Sequence, residues 1–425
     1  MAEIQRLIVD LEQAVAAGDK ERAFELARQA QRLLYAETGD VSAIEQRLET
    51  LLELLYSPPF EPLVKAAEIF GDAAEIHDLG IPADKPLRQP PPRRAPTPED
   101  PVVYPVWFGT NRKPDGQGGF GHQRSSVISR GKAEVFIPKS HRFGETGNAF
   151  WKRLLRFEFR DDHLKLERVT PQESADFYNE IQQVMQHARD DGRAAQALFF
   201  LHGYNVSFEE AAIRAAQIGF DLKVPGATAF FSWPSRGRAP FYPLDEAAIE
   251  ASEQAITDFL VEFTQQCGAD KVHIIAHSMG NRGLLRALQR IASKAELQGN
   301  IRFGQIFLAA PDVDRDLFME LGKIYPQYGE RTTLYASRRD LPIRLSNFLH
   351  GGPRAGYYAP YTVVQGVDTI AVPNFNVDFL GHSYFAQAEA LLNDIFDLMR
   401  HNEPPSERQR LAPVAGESGI WCFKR

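Results

Sequence analysis

The chain has 425 residues, 44% of them apolar, with 48 basic and 56 acidic side chains and a net charge of −8. That length suits two domains and a large core. Two cysteines, Cys267 and Cys422, supply neither a disulfide framework nor a thiolate metal site. The charge is uneven: residues 1–84 hold 17 acidic and 7 basic side chains, a net of −10, which leaves +2 for the rest. An acidic module is the wrong partner for nucleic acid, whose phosphates need Lys and Arg. The opening MAEIQRLIVDLEQ is polar and charged, unlike a secretory signal. No apolar run is long enough for a bilayer. With so few cysteines, a soluble protein of the reducing cytoplasm is the expectation.

Residues 1–80 read as helices only. Ile4, Leu7, Ile8, Leu11 and Val15 recur at helical spacing, as do Ile44, Leu48, Leu51, Leu52 and Leu55. Between them, 19–35 is rich in helix formers, and Gly18 and Gly39 punctuate three helices. Such an acidic all-α domain suits packing on the second domain, pairing with its own copy in a homo-oligomer, or docking another protein. Residues 81–101 are crowded with proline and read as a semi-rigid linker.

Over 102–400 strands alternate with helices. Strands are expected at Val102–Phe108, Lys132–Ile137, Ala197–Leu201, Ala227–Phe231, Val272–Ala276, Arg302–Ala309, Thr332–Ala336 and Val367–Val372. A hairpin is expected from Arg153–Phe159 and His163–Val169. Two capping boxes stand out, Thr170–Glu173 with Pro171 at the first helical position, and Ser207–Glu210. Leu244–Gln265 reads as one long helix and 384–399 as the closing one. The tail over 401–425 reads as flexible, with an apolar end at Ile420–Phe423 suited to docking on the body. The pattern implies an α/β fold, a mainly parallel sheet of about eight strands flanked by helices and preceded by the small all-α domain.

Ligands bind such sheets at the carboxyl ends of the strands, so chemistry is expected there. Val272–Ala276 runs into His277-Ser278-Met279-Gly280 and then a helix. That context makes Ser278 a candidate nucleophile, because a sharp turn lifts the hydroxyl clear of strand and helix. Ala276 and Gly280 are the small flanking residues, Ala276 standing where glycine is usual. After Ala197–Leu201 comes His202-Gly203-Tyr204-Asn205. The backbone N–H groups of Tyr204 and Met279 are the candidate oxyanion donors, and Gly203 permits close approach. His202 suits packing better than proton transfer. Trp233 and His277 are candidate lining residues of a substrate pocket, with Gly203 and His202. A base is expected in the loop after the final strand, at His382, ahead of His277, His350 and His202. The acid is Asp340 by strand count. Asp312 is the competitor, and Asp312 or Asp314 would cap the helix from Arg315. Leu341–Tyr361, which contains Phe348, Tyr357 and Tyr358, is long enough for a lid or an acyl-pocket wall.

PVWFGTNR (105–112), AEVFIPKSHRFGE (133–145), LFFLHGYNVSFEEA (198–211), FFSWPS (230–235), AHSMGN (276–281), LAAPDVDRDLF (308–318), LYASRRDLPIRLS (334–346) and GHSYF (381–385) together resemble a bacterial α/β-hydrolase family of unknown function in the esterase/lipase superfamily. The resemblance spans about 104–395. It implies the α/β-hydrolase fold with Ser278, Asp340 and His382 as the triad, and assigns no role to Gly109-Thr110-Asn111-Arg112. The expectation is a serine hydrolase acting on a small-molecule or lipid ester, with no cofactor and no metal. Thioesters and amides suit the same triad, and an inactive scaffold whose N-terminal helices bind a partner is the reading from another class. Gly116–Gly121 matches G-x-G-x-x-G but opens no helix, so it marks no dinucleotide site.

Overall fold

The computed structural model describes residues 2–17, scattered positions between 19 and 30, and residues 102–138, 164–236, 242–297, 299–337, 352–358, 360–372 and 385–424. The chain divides into two compact units, Met1–Gly80 with Arg238–Pro243, and Ile81–Gly237 with Leu244–Arg425. In the first, helix α1 (Ala2–Ala16) buries Ile4, Ile8, Leu11 and Val15 along one stripe, the amphipathic pattern of a helix that covers a core. The helices expected at 19–35 and 44–55 as whole elements, the linker at 81–101, and the first strand and turn of the 153–169 hairpin lie outside the described residues.

The second unit is organised by one sheet. Its strands are β1 (Val102–Pro114), β2 (Phe120–Ile137), β3 (Lys165–Pro171), β4 (Gln196–Leu201), β5 (Thr228–Ser232), β6 (Lys271–His277), β7 (Phe303–Ala309), β8 (Gly329–Ser337), β9 (Val367–Val372), β10 (Leu411–Pro413) and β11 (Ile420–Phe423). In space they run β10-β11-β9-β8-β7-β6-β4-β5-β1-β2-β3. From β11 to β1 every neighbouring pair is parallel. That is a body of eight parallel strands, to which β2, β3 and β10 add antiparallel.

The central strands are apolar runs rather than alternating ones because both faces are covered. In β4, Phe200 belongs to the core cluster that also takes in residues 208–218 and 391–399, while Phe199 meets Phe259 and Phe263. The covering helices are α2 (Ser174–Asp190), α3 (Phe208–Asp221), α4 (Tyr242–Glu250), α5 (Glu253–Gln266), α6 (Gly280–Ser293), α7 (Arg315–Leu321), α8 (Tyr325–Tyr328) and α9 (Phe385–His401). Full burial of each such phenylalanine is worth about 1.5–3 kcal/mol. No helix among the described residues is long and apolar enough to cross a membrane.

Three local expectations are corrected. The Thr170–Glu173 box does not form: Thr170 and Pro171 pair with Lys132 and Gly131 of β2, and α2 starts at Ser174 with no side-chain cap on Glu173. Sheet pairing has claimed the backbone that the cap needs. The second box is present, with the Ser207 side chain accepting from Glu210 N–H and the Glu210 carboxylate accepting from Ser207 N–H. The long helix over 244–265 is two helices, broken at Ala251–Ser252. There the buried Ser252 hydroxyl donates to the Ala248 carbonyl at 2.7 Å and accepts from the Asn111 amide at 3.0 Å, a competition with the helix ladder that bends or ends it. Finally, the stretch beyond His401 is not a loose tail. β11 adds to the sheet beside Thr369–Ala371 of β9, and β10 folds back on β11.

Candidate active site

The carboxyl ends of β4, β5, β6, β7 and β8 lie along one edge of the sheet, at Leu201, Ser232, His277, Ala309 and Ser337. Ser278 follows β6 directly. Its φ is +48°, a left-handed conformation that costs a residue with a Cβ roughly 1–2 kcal/mol. The surrounding backbone holds it there. Ser278 N–H donates to the Ala309 carbonyl at 2.9 Å, and its own carbonyl accepts from Asn281 and Asp312 N–H, each at 3.1 Å. The Asn281 side chain donates to the carbonyls of Ala276 and Ser278 at 3.1 and 3.0 Å. The Ser278 hydroxyl, by contrast, is buried and makes no hydrogen bond with any described residue. A strained backbone around an uncommitted hydroxyl is the arrangement that persists at functional sites.

Two glycines allow this turn to meet the loop after β4. A Cβ built on Gly280 falls 2.5 Å from the His202 carbonyl oxygen and 2.7 Å from that of Leu201. One built on Gly203 falls 2.9 Å from Ser278 Cβ and 3.0 Å from His277 Nδ1. Gly203, His277 and Ser278 are therefore in contact, with Tyr204 one residue beyond Gly203 and Met279, fully buried, one beyond Ser278.

His202 and Trp233 sit behind this contact. The rings stack at 4.9 Å, and Trp233 Nε1–H donates to the His202 carbonyl at 2.9 Å. Trp233 is fully buried. His202 Nδ1 lies 2.9 Å from the Gly203 carbonyl and Nε2 3.3 Å from Ser232 Oγ. Burial, with the nearby Arg112 charge, holds its pKa well below the ordinary value of 6.5. The ring is thus neutral, a scaffold and not a proton carrier. Tyr357 is half-buried at the end of β8, bridged in parallel to Ser337.

Sequence reasoning left Gly109-Thr110-Asn111-Arg112 without a role. Arg112 is buried, and its guanidinium donates to Ser232 Oγ at 2.8 Å, Val206 O at 2.8 Å, Ser235 O at 2.8 Å and Gly121 O at 3.2 Å. Thr110 Oγ1 donates to Ser232 O at 2.6 Å. Close by, Asp245 accepts from Asn205 N–H at 3.0 Å, Arg236 N–H at 2.9 Å and the Ser235 hydroxyl. Burial pulls the Arg112 pKa down to about 9 and pushes that of Asp245 up; the Asp245 charge and the hydrogen bonds to the carboxylate oppose these shifts. The only sequence signal for this cluster was a polar, arginine-ended strand tip in an otherwise apolar strand.

The acids after β7 part company. Asp314 caps α7, accepting from Asp316 and Leu317 N–H at 3.1 and 3.0 Å. Asp312 is buried with its Oδ1 3.6 Å from both Arg282 Nη2 and Arg354 Nε. The described end of Leu341–Tyr361 is docked on this turn: Ala355 and Gly356 N–H donate to Val313 and Pro311 carbonyls, and Ser337 N–H donates to Gly356 O, each at 2.8 Å. That part packs on the body through these backbone bonds. A cleft of about 220 Å³ lies behind the turn, lined by Arg282, Gly283, Arg286, Val313 and Arg354; Ser278 is not among its lining residues. Asp340, His382 and His350 lie outside the described residues. Among the described residues, no group of three His, Cys, Asp or Glu side chains is placed to hold a metal.

A family model described as an alpha/beta hydrolase of unknown function (DUF900) matches residues 178–400, more than half of the chain. The chain belongs to this α/β-hydrolase family. The match contains β4 to β9 and all of the turn at Ser278, and leaves out β1 to β3 and α1. Among solved structures, an uncharacterized protein from Bacillus cereus ATCC 10987 is 14% identical with a TM-score of 0.32, over 49% of this chain and 60% of that one. The hydrolase thus spans three fifths of that protein's length. A structure from a study of two fungal esterases from Rhizomucor miehei is 13% identical with a TM-score of 0.33, over 72% of this chain and 88% of that one. Comparison with curated proteins gives no match.

Proposed function

We propose that this α/β-hydrolase cleaves carboxylic esters through an acyl-enzyme on Ser278. The observation that carries the reading is the turn itself: a serine at φ +48° between a parallel strand and a helix, with its backbone locked and its hydroxyl uncommitted. His382 is the proposed base and Asp340 its orienting acid, both assigned from chain order after the last strands. Asp312, the competing acid, faces two guanidinium groups, which favours Asp340. The proposed oxyanion donors are the N–H groups of Tyr204 and Met279, on the two loops that meet at Gly203 and Gly280.

In this scheme His382 takes the hydroxyl proton as Ser278 Oγ bonds to the acyl carbon. The carbonyl electrons move onto oxygen, where the two N–H groups hold the charge. Collapse expels the alcohol, which leaves with the proton from His382. Water then gives a proton to His382 as it attacks the acyl-enzyme, and the carboxylic acid departs as Ser278 regains its proton. The expected test is a fluorophosphonate probe, which labels the wild type and not Ser278→Ala. An unlabelled wild type sinks the nucleophile and leaves an inactive scaffold. Asp340→Asn should cost more rate than Asp312→Asn, and the reverse order moves the acid to Asp312. A panel of esters, thioesters and amides of graded chain length sets the acyl donor.

A further inference from the structure

We propose that Arg112 is a positioning residue that holds the Gly203–Val206 loop, and with it the Tyr204 N–H, in register with Ser278. This rests on the reading of Ser278 as nucleophile. Which groups can donate fixes the direction of each bond. An arginine nitrogen only donates, so Ser232 Oγ accepts from Arg112 Nε at 2.8 Å. A carbonyl only accepts, so His202 carries its proton on Nδ1, facing Gly203 O at 2.9 Å. The ring is neutral, which leaves Nε2 bare. The Ser232 hydroxyl therefore donates its hydrogen bond to Nε2, at 3.3 Å. The chain Arg112, Ser232, His202, Gly203 runs in one direction only, and Arg112 sets it.

The same guanidinium reaches the loop from its other side. Arg112 Nη2 donates to Val206 O at 2.8 Å. Its Nη1 donates to Ser235 O, and the Ser235 hydroxyl accepts from Val206 N–H at 3.0 Å. That hydroxyl donates to Asp245, whose carboxylate accepts Asn205 N–H. Asn205 is left-handed, with φ +57°. Tyr204 is thus flanked by a carbonyl pinned at 203 and by backbone groups pinned at 205 and 206. A fully buried guanidinium is an expensive way to fill a core. Here its donors go to two irregular loops at the strand ends and to β2, where an apolar residue of the same volume would leave three carbonyls unsatisfied.

The test compares Arg112→Met and Arg112→Lys with the wild type and with Arg408→Lys. Arg408 is a second buried arginine, bonded to Thr333, Asp368 and Asp394 toward the opposite ends of β8 and β9, and it serves as the control for general destabilisation. Ester kcat and KM, and hydrogen exchange of the 202–207 amides, are read on folded protein. Removing an oxyanion donor costs about 10²–10³ in kcat. Arg112→Met should therefore lose about 10- to 100-fold in kcat with KM within about threefold, and exchange at 202–207 should quicken; Lys should recover part of both. Unchanged kcat and exchange in Arg112→Met overturn the proposal, as does an equal kcat loss in Arg408→Lys. Should Arg112→Met not fold, Ser235→Ala makes the same test, since it frees Val206 N–H and keeps the charge. A wild type that no fluorophosphonate labels fails at Ser278 itself, before any Arg112 variant is made, and removes the proposal with it.

Discussion

Gly280→Ala puts two physical rules in opposition. Alanine is the better helix former by about 1 kcal/mol, and Gly280 opens α6, so propensity alone predicts a gain. The packing predicts a loss. The new Cβ would lie 2.5 Å from the His202 carbonyl oxygen, against an ordinary contact that begins near 3.4 Å, a shortfall of 0.9 Å. The obstacle is backbone, and Leu201 just before it is paired to both β5 and β6 in mid-sheet, so the helix start must move. Overpacking of this kind costs about 1–3 kcal/mol, and subtracting the propensity gain of about 1 kcal/mol leaves a net loss of about 0–2 kcal/mol. The displacement falls on Met279 and Ser278, where a 1 Å misplacement can cost about 10²-fold in rate. Guanidinium unfolding gives the first quantity and steady-state hydrolysis of a nitrophenyl ester the second. A midpoint equal to or above wild type, with kcat within twofold, would refute the close-approach argument.

Ser278→Gly should abolish probe labelling yet raise stability by up to about 1 kcal/mol, because glycine relieves the left-handed strain; a loss of stability in denaturant would contradict that strain. Asn281→Ala strips the turn of its side-chain ties to the Ala276 and Ser278 carbonyls. It should cost about 1–3 kcal/mol and slow fluorophosphonate labelling, and equal labelling rates would show that the turn holds without it. Acid should destabilise the fold through two buried imidazoles. Burial depresses His202 well below 6.5 and His273 to about 3. The folded chain then binds fewer protons than the unfolded one below pH 6.5. Stability is complete above that pH and falls as pH drops toward the folded values, by at most ~1.4 kcal/mol per pH unit for each histidine. Unfolding measured at pH 7, 6 and 5 should show the slope, and His273→Asn should reduce it; a flat profile would mean these rings are not held neutral.

What could be read from residue order was whatever depends on near neighbours. The apolar runs around Phe199, Phe230, Ile274 and Phe307 needed no partner to be recognised as inner strands. The turn at Ser278 shows in four consecutive residues, and the Ser207–Glu210 cap in four more. Features set by distant partners were hidden. Thr170–Glu173 has the letters of a cap, but β2 takes its first two residues. The helix break at Ser252 is only half local, because its hydroxyl donates to Ala248 four residues back and accepts from Asn111, 141 positions away. Arg112 was visible as a motif and opaque as a function, since every group it binds lies in another segment. For the same reason the surroundings of Asp312, between Arg282 and Arg354, were hidden in the residue order.

The sheet also has to stop somewhere. Among the described residues its two outermost strands are β10 and β3. The first is three residues long and ends in Pro413, which has no N–H to offer a further strand. The second, KLERVTP, turns Lys165, Glu167 and Arg168 to water and ends in Pro171. Borders so short or so charged are poor templates for an incoming chain. Both described borders thus disfavour edge-to-edge pairing of one such sheet with another.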